Sequence, residues 1–371
     1  MSDGFKELGV PQALCKGLAE LGIERPTQIQ EKVIPFLMEN GGDLIAQAQT
    51  GTGKTAAFGL PMLTRMDAKS PVVQGLIIAP TRELAKQIGK HLFRYTKYSE
   101  KVFVEVISGG EDVQKQEARM RRPTQIVVGT PGRILELVRR KALSLDGVRH
   151  LVLDEADEML SMGFKEELRK ILRLCQARKS TWLFSATFPS AIEELIKGCM
   201  SAGAKRVTVD KAHVVNRDID HQYVICERGD KLEYVTRFLQ KRGAERGLIF
   251  CRTKAGVISL GRQLTKAGLA VDVLHGDLTQ KERDKAMRAF KKERVQFMIS
   301  TDVAARGIDV EGLAFVLQHQ LPDQLEYYTH RSGRTARAGR KGVSLTLIDK
   351  RELKKVRSME QELGVRFREV G

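Results

Sequence analysis

The sequence predicts an α/β protein of two tandem domains, each a mostly parallel sheet flanked by helices. Three observations predict it: short apolar runs without polar alternation, segments of helical period between them, and a restart of this pattern in the second half. Such runs are typical of strands covered on both faces, and strand–helix alternation is typical of a parallel sheet. The length of 371 residues suits about two or three domains.

In the first half, apolar runs predict strands at residues 43–48, 75–79, 125–128, 150–153 and 181–184. A helix follows between the last two runs, because five apolar residues share one helical face: Phe164, Leu168, Ile171, Leu172 and Cys175. Ser190 and Glu193 have the spacing of a capping box, which predicts the start of another helix.

The second half repeats the alternation, with predicted strands at residues 221–225, 247–250, 271–274, 296–300, 315–318 and 343–348. Thr279 and Glu282 predict a second capping box, and residues 351–363 predict a terminal helix that ends at Gly364. Residues 210–217 have no clear periodicity and are predicted to be a linker. The predicted domains are therefore 1–209 and 218–371.

The composition is that of a globular protein with a basic excess. The chain has 63 Lys and Arg against 46 Asp and Glu, a net charge of +17, and both halves contribute: residues 1–210 carry 31 basic and 25 acidic side chains, and residues 211–371 carry 32 and 21. This excess favours a polyanionic partner, nucleic acid before a membrane. No apolar run approaches the roughly 18 residues of a membrane span, and the start of the chain is too polar for a signal peptide, so we expect a cytoplasmic protein.

The five cysteines are odd in number and widely scattered, without metal-ligand spacing. They predict neither a zinc site nor a disulfide framework.

The strongest local motif is the glycine-rich segment from Ala48 to Thr55, which lies between a predicted strand and a predicted helix. Glycines let backbone N–H groups surround phosphate oxygens at a helix N-terminus. In this pattern Lys54 reaches the β- and γ-phosphates and Thr55 holds Mg²⁺. The alternative is a strand–helix turn with no ligand.

Asp154 and Glu155 follow the predicted strand at 150–153. A phosphate loop needs such an acid at the end of a neighbouring strand: Asp154 would position the metal, and Glu155 would polarise the attacking water. Carboxylates also favour helix N-termini, so the alternative is an exposed acidic helix start.

Arg334 and Arg337 are three residues apart in a basic segment of the second half, which has no phosphate loop of its own. An arginine pair of this kind can complete a phosphoryl-transfer site. The alternative is a solvated basic surface.

Together these motifs resemble the helicase core of a DEAD-box RNA helicase, a superfamily-two protein with two RecA-like domains. Asp154, Glu155, Ala156 and Asp157 spell the motif that names the family. Other motifs stand around it in family order, at residues 22–30, 80–85, 109–110, 130–133, 185–187, 249–252, 275–283, 301–309 and 330–337.

The resemblance implies ATP and Mg²⁺ as cofactors, and it assigns roles at the nucleotide. The catalytic residues would be Lys54, Asp154, Glu155, Arg334 and Arg337, and the metal ligands Thr55 and Asp154. The ATP-binding residues would be Phe5, Arg25, Gln30, Thr50, Gly51, Thr52, Gly53, Lys54, Thr55, Gly307 and Asp309. Gln30 would pair with adenine, since an amide can donate and accept at once. Phe5 would stack on the base; alternatively it is an N-terminal hydrophobic staple.

The resemblance also implies residues that couple the ATP site to RNA and residues that hold RNA. Coupling is expected of Asp157, Ser185, Thr187, Arg306 and His330, with Ser185 and Thr187 bonding to Asp157 and His330; alternatively Ser185 and Thr187 cap a helix. The RNA-binding set would be Pro80, Thr81, Arg82, Gly109, Gly110, Thr130, Gly132, Arg133, Arg252, Gly276, Gln280, Arg283 and Thr301. Glycine, hydroxyl and arginine suit sugar–phosphate contacts that do not read sequence.

One position departs from the family pattern: Gln320 stands where the family usually has an aspartate. The sequence otherwise predicts an ATP-dependent RNA helicase, a monomer whose closure on ATP and RNA drives hydrolysis and local unwinding. Three alternatives remain: an ATP-gated RNA clamp or chaperone, a DNA translocase of the same superfamily, and an RNA-binding module with a dead site.

Overall fold

The computed structural model describes residues 3–39, 42–48, 51–209, 218–227, 229–305, 310, 312–323, 325–336 and 341–370. The chain divides into two compact units, residues 1–209 and 210–371. Outside the described residues lie the predicted linker 210–217 and five predicted site residues: Thr50, Arg306, Gly307, Asp309 and Arg337.

The first unit contains a seven-stranded parallel sheet in the order β3-β4-β2-β5-β6-β1-β7. Its strands are β1 Leu44–Gln47, β2 Gly75–Ile78, β3 Val104–Ile107, β4 Ile126–Gly129, β5 His150–Leu153, β6 Ser180–Ser185 and β7 Lys205–Thr208. Its helices are α1 Asp3–Glu7, α2 Gln12–Ala19, α3 Gln28–Glu39, α4 Lys54–Thr64, α5 Arg82–Tyr95, α6 Val113–Met120, α7 Pro131–Arg139, α8 Ala156–Ser161, α9 Lys165–Leu174 and α10 Ser190–Cys199.

Two hydrophobic cores lie on opposite faces of this sheet. Alternate residues of β1 belong to different cores: Leu44 and Ala46 pack with α2 to α5, and Ile45 packs with α7 to α10. Successive side chains of a strand point to opposite faces, so both faces of the central strands are covered. This double burial explains why those strands are continuous apolar runs.

The second unit has its own seven-stranded parallel sheet, in the order β10-β11-β9-β12-β13-β8-β14. Its strands are β8 Ile219–Ile225, β9 Gly247–Phe250, β10 Val271–Leu274, β11 Phe297–Ser300, β12 Phe315–Gln318, β13 Gly342–Ile348 and β14 Phe367–Glu369. Its helices are α11 Lys231–Gln240, α12 Lys254–Lys266, α13 Gln280–Lys291, α14 Asp302–Ala305, α15 Leu325–Ser332 and α16 Leu353–Leu363. Strand for strand, this order repeats that of the first unit.

The predicted two-sheet α/β architecture is confirmed, and every predicted strand is present. The sequence missed β3, β7 and β14, which all lie at sheet edges. An edge strand is covered less completely, and β7 has a mostly exposed sequence with one buried residue, Val207. Its sequence therefore lacks the continuous apolar run by which the inner strands were identified.

The two predicted capping boxes had different outcomes. Thr279 and Glu282 form the reciprocal bonds of a capping box at the start of α13. Ser190 does not cap α10: Pro189 occupies the N-cap without a side-chain bond, and the Glu193 carboxylate instead binds Arg206 at 2.8 Å. The capping box predicted at Ser190 was wrong because Ser190 is the first residue of the helix, which leaves the N-cap position to Pro189. The terminal helix α16 ends at Gly364, which has φ 64° as a left-handed cap requires.

No helix in the described ranges combines the length and apolar character needed to cross a bilayer. All five cysteines are free thiols, and four of them are buried. Burial raises the pKa of Cys251 to about 12, so this thiol stays protonated at neutral pH.

Candidate functional site

Lys54, Asp154 and Ser185, three of the predicted residues of the first unit, lie where its parallel strands end. The strands are parallel, so their carboxyl ends share an edge, and β5, β6 and β1 are neighbours there. The glycine-rich loop follows β1, Asp154 follows β5, and Ser185 ends β6. Ligands of open α/β sheets bind outside the carboxyl ends of the strands.

The glycine-rich loop turns sharply into α4. Gly51 and Gly53 have φ values of 83° and 90°, which only glycine adopts readily, and Gly53 is the N-cap of α4. A Cβ at Gly53 would also collide with the side-chain amide of Gln30. The loop conformation thus requires glycine for two separate reasons.

Lys54, the first residue of α4, is buried beneath this loop. Its ammonium donates to the backbone carbonyl oxygen of Ala48 at 3.2 Å and lies 4.0 Å from an oxygen of the Asp154 carboxylate. The two charged groups are only 6% and 2% exposed. A buried cation and a buried carboxylate therefore face each other where the loop meets the end of β5.

Asp154 has the environment expected of a metal-positioning carboxylate. Its burial raises its pKa to about 7; the Lys54 ammonium opposes this shift, and Glu155 and Asp157 add to it. A bound cation would relieve that cost. Hard cations such as Mg²⁺ prefer oxygen ligands, and Thr55 offers a hydroxyl on a half-buried side chain at the start of α4. These residues fit Mg²⁺.

Glu155 has an uncommon backbone conformation, with φ 52° and ψ 53°. A non-glycine residue held there costs of order 1–3 kcal/mol, and such residues cluster at functional sites. The turn lets the Glu155 N–H donate to the Asp154 side chain at 3.0 Å and places Glu155 as the N-cap of α8.

Asp157 joins α8 to the end of β6. One oxygen of its carboxylate accepts from both the backbone N–H and the hydroxyl of Thr187, each at 2.9 Å. The Ser185 hydroxyl accepts from the Asp157 N–H at 3.2 Å and donates to the Thr187 carbonyl at 2.7 Å. The three residues form one bonded group in the first unit; the link to His330 stays a prediction.

Gln30 lies on α3 and is only 2% exposed. Its side-chain N–H donates to the Gly53 carbonyl and its side-chain oxygen accepts from the Thr27 N–H, both at 2.9 Å. An amide has two donors and two acceptor positions, so each end retains one for a base. Thr27, which the sequence analysis did not single out, donates to the Thr52 carbonyl at 2.8 Å.

Phe5 is buried in the structure. Its side chain is 0% exposed and packs in the core of the first unit. This packing is what a hydrophobic staple would show, and stacking of Phe5 on adenine stays a prediction. Arg25, by contrast, is exposed.

The predicted RNA residues of the first unit follow β2, β3 and β4, which are adjacent at one side of the sheet. The Arg82 guanidinium packs against Gly109, where a Cβ would lie 3.5 Å from it. Arg133 donates to the Glu111 carbonyl at 3.1 Å. Thr81 also has a structural role, because its hydroxyl accepts from the Leu84 N–H and caps α5. The other members of the set here are Pro80, Gly110, Thr130 and Gly132.

In the second unit, Arg252, Gly276 and Thr301 of the predicted RNA set follow the corresponding strands β9, β10 and β11, and Gln280 and Arg283 lie on α13. Arg252 is exposed and donates to the Leu321 carbonyl at 2.9 Å, and Gly276 is exposed after β10. Arg283 donates to the Ala304 carbonyl at 2.7 Å, and the Thr301 hydroxyl accepts from the Ala304 N–H at 3.3 Å. Gln280, at the start of α13, donates to Asp284.

Arg331, on α15, is the centre of a buried network that the sequence analysis did not identify. Its guanidinium makes two bonds to the Asp302 carboxylate, at 2.5 and 2.6 Å, and a third to the Gln318 side chain at 3.2 Å. It is 3% exposed, so this pairing neutralises a buried charge. Arg334, one turn further on, is buried as well.

The second unit has a different connection where the first has its phosphate loop. Lys231 begins α11, after β8, as Lys54 begins α4, after β1. Its ammonium donates to the carbonyl oxygen of His319 at 3.1 Å, immediately after β12. A lysine thus joins the same two strand ends in both units.

Family comparisons agree with this geometry. The family model "DEAD/DEAH box helicase" matches residues 27–195, and "Helicase conserved C-terminal domain" matches residues 230–339. The ATP-dependent RNA helicase CshA of Listeria monocytogenes is 42% identical over 357 residues, which is 96% of this chain and 68% of that protein.

The chain belongs to the DEAD-box family of ATP-dependent RNA helicases. A second DEAD-box relative, CshA of Geobacillus kaustophilus, is 40% identical over 96% of this chain and 76% of its own length. Among solved structures, S. cerevisiae Dbp5 bound to RNA and ADP BeF3 matches with a TM-score of 0.90 and 33% identity, over 99% of this chain and 95% of that one. Mss116p bound to ssRNA and AMP-PNP matches with a TM-score of 0.86 and 29% identity, over 99% and 78%. The RecA-like identity of both units is thereby confirmed.

Proposed function

We propose that this DEAD-box protein hydrolyses ATP in an RNA-stimulated reaction, coupled to closure of its two domains, bending of the bound strand and local unwinding of short duplexes. The observation that carries the proposal is the buried pair of Lys54 and Asp154, 4.0 Å apart below a glycine loop. An unliganded buried pair is costly, and a phosphate with its metal would use both charges.

In the proposed site, Lys54 holds the β- and γ-phosphates, and the N–H groups from Thr50 to Thr55 surround them. Thr55 and Asp154 hold Mg²⁺, which neutralises charge on the phosphate oxygens. Glu155 orients and polarises the attacking water, a role that its strained turn supports because the turn bonds the Glu155 backbone N–H to the Asp154 carboxylate. Gln30 selects adenine with its remaining donor and acceptor, and Arg25 contributes from the same motif.

The second domain would supply Arg334 and Arg337 to the γ-phosphate, Gly307 and Asp309 to the ribose side, and Arg306 and His330 to the coupling. The proposed domains are 1–209 and 218–371, with 210–217 as the linker. RNA would contact the strand-end residues of both domains through sugar and phosphate, so we propose little sequence specificity. We also propose a cytoplasmic monomer.

Because the proposed site needs both domains, the rate of ATP hydrolysis should depend on RNA. The test is steady-state ATPase turnover with and without single-stranded RNA, in the wild type, Lys54→Ala and Glu155→Gln. We expect strong stimulation in the wild type and loss of turnover in both variants. Equal turnover with and without RNA would contradict the coupling.

Strand separation needs its own measurement. With a short RNA duplex and ATP, we expect release of the labelled strand by the wild type and none by Glu155→Gln. RNA-stimulated turnover without strand release would instead identify an ATP-gated clamp, and stimulation by DNA as strong as by RNA would identify a DNA translocase.

A further inference from the structure

The outer face of α5 carries a row of basic residues that begins at Arg82, a member of the proposed RNA-binding set. Arg82, the first residue of α5, is followed by Lys86, Lys90 and Arg94 at intervals of four. Residues four apart lie on the same face of an α-helix. At about 1.5 Å per residue the row extends roughly 18 Å from the strand end toward the opposite edge of the domain.

This face is turned away from the core. Leu84, Ile88 and Leu92 of the same helix are buried, whereas Lys86, Lys90 and Arg94 are exposed. Within the part of the chain that the structure describes, neither Lys90 nor Arg94 forms an ion pair. Lys86 lies near Glu111, whose pKa is lowered chiefly by its bonds to Arg119 and slightly by Lys86. Like charges four apart repel one another, and a polyanion along the row would relieve that repulsion.

Exposed aromatic side chains stand at the far end of the row. Phe93 is 70% exposed, Tyr98 is 46% exposed and Phe103 is 44% exposed. The Lys101 ammonium lies 5.0 Å from the centre of the Phe103 ring. Cations together with exposed rings are what proteins use to bind single-stranded nucleic acid without reading its sequence, since every base can stack on an aromatic face.

We propose that the outer face of α5 is an auxiliary RNA-binding surface. It holds the phosphate backbone of an RNA that extends beyond the proposed RNA-binding set. The proposal rests on the proposed function, because the row continues from Arg82 of the RNA-binding set. The surface increases affinity for long RNAs and adds no sequence preference, since phosphate contacts carry none.

The test compares two triple variants with the same loss of charge. K86Q/K90Q/R94Q removes the row but leaves Arg82, and K170Q/R173Q/K197Q removes three exposed cations from α9 and α10. Those two helices pack on the opposite face of the same sheet, so the second variant is a matched control. Equal thermal unfolding midpoints would establish that both variants fold.

Each protein is titrated with an RNA just long enough to contact the proposed RNA-binding set, and with the same RNA extended at both ends. For K86Q/K90Q/R94Q we expect about tenfold weaker binding of the extended RNA, and a slope of log affinity against log salt that is smaller by about 2, since each cation contributes about 0.7. Binding of the short RNA should change less than twofold, and the control should match the wild type on both RNAs.

Unchanged affinity for the extended RNA would overturn the proposal and would favour an acidic protein as the partner of this face. An equal loss of affinity in the control variant would also overturn it. ATPase stimulation by the short RNA tests the proposed function separately. Its absence in the wild type would contradict that function, whereas its presence beside an unaffected extended-RNA affinity would contradict only the auxiliary surface.

Discussion

The side-chain oxygen of Gln320 accepts a hydrogen bond from the backbone N–H of Arg252 at 3.2 Å. The backbone carbonyl of Gln320 accepts from the Arg331 guanidinium, also at 3.2 Å. Gln320 therefore touches both an exposed arginine of the proposed RNA set and the buried arginine of α15. Because Asp302 already neutralises Arg331, a neutral amide at position 320 leaves no buried charge unpaired.

We predict that Gln320→Ala raises the RNA concentration for half-maximal ATPase stimulation about three- to tenfold. The physical reason is the lost bond to the Arg252 loop, since a typical hydrogen bond contributes about 0.5–1.5 kcal/mol. The rate at saturating RNA should change less than about twofold, because the backbone contact to Arg331 remains. Gln320→Glu keeps an acceptor oxygen and should retain most of the wild-type affinity. A fall in the saturated rate with unchanged RNA dependence would contradict this assignment.

We expect the Asp154 carboxylate to lower the free energy of unfolding of the protein without nucleotide, although the same residue supports catalysis. Its folded pKa of about 7 lies above the ordinary value of 3.8, so the free energy of unfolding falls as pH rises through that interval. Asp154→Asn removes the titrating group. We predict an ATPase loss of about 100-fold or more, together with up to about 4 kcal/mol greater stability at pH 8 in chemical denaturation without nucleotide, since one pKa unit corresponds to about 1.4 kcal/mol. At pH 4 the two proteins should be equally stable, and a less stable variant at pH 8 would refute the argument.

Acid should destabilise the second domain through His221. Burial lowers the pKa of His221 to about 4 from 6.5, so below about pH 6.5 the unfolded chain binds a proton that the folded domain excludes. The free energy of unfolding should fall by about 1–2 kcal/mol between pH 7 and pH 5 from this residue alone. His221→Phe removes this pH dependence and keeps an aromatic ring beside Tyr328. The Tyr328 hydroxyl still donates a hydrogen bond to the Ser344 hydroxyl, at 3.3 Å. Urea unfolding at both pH values measures it. Equal pH dependence in the two proteins would be the contrary result.

The inner strands could be predicted from the sequence because burial on both faces removes polar residues from them. Val128 and Val152, for example, are 0% exposed in the middle of β4 and β5. The edge strands β3, β7 and β14 could not, because one neighbour is enough to hold a strand whose side chains are partly solvated. The spacing of Ser190 and Glu193 predicted a capping box, but the helix begins at Ser190 with Pro189 as its N-cap, and local spacing alone does not fix the first helical residue.

At the site, the order of motifs predicted which loops share the sheet edge, and the structure brings Lys54 and Asp154 together as expected. The sequence could not show that Gln30 is bonded to Gly53, because that contact depends on how α3 packs beside the loop. Nor could it show the burial of Phe5 or the pair of Arg331 and Asp302. The basic residues of α5 recur at intervals of four in the sequence, but only the structure shows that this row lies opposite the buried face of the helix.

The lysine contact of the second domain has a consequence for what the fold itself requires. Lys231 bonds to a single backbone oxygen after β12, whereas Lys54 of the first domain lies between a backbone oxygen and the Asp154 carboxylate below a glycine-rich loop. Both domains nevertheless have the same strand order. Closing this corner of the sheet therefore needs a lysine and a carbonyl oxygen, and the glycines and the carboxylate are an addition that the architecture does not demand.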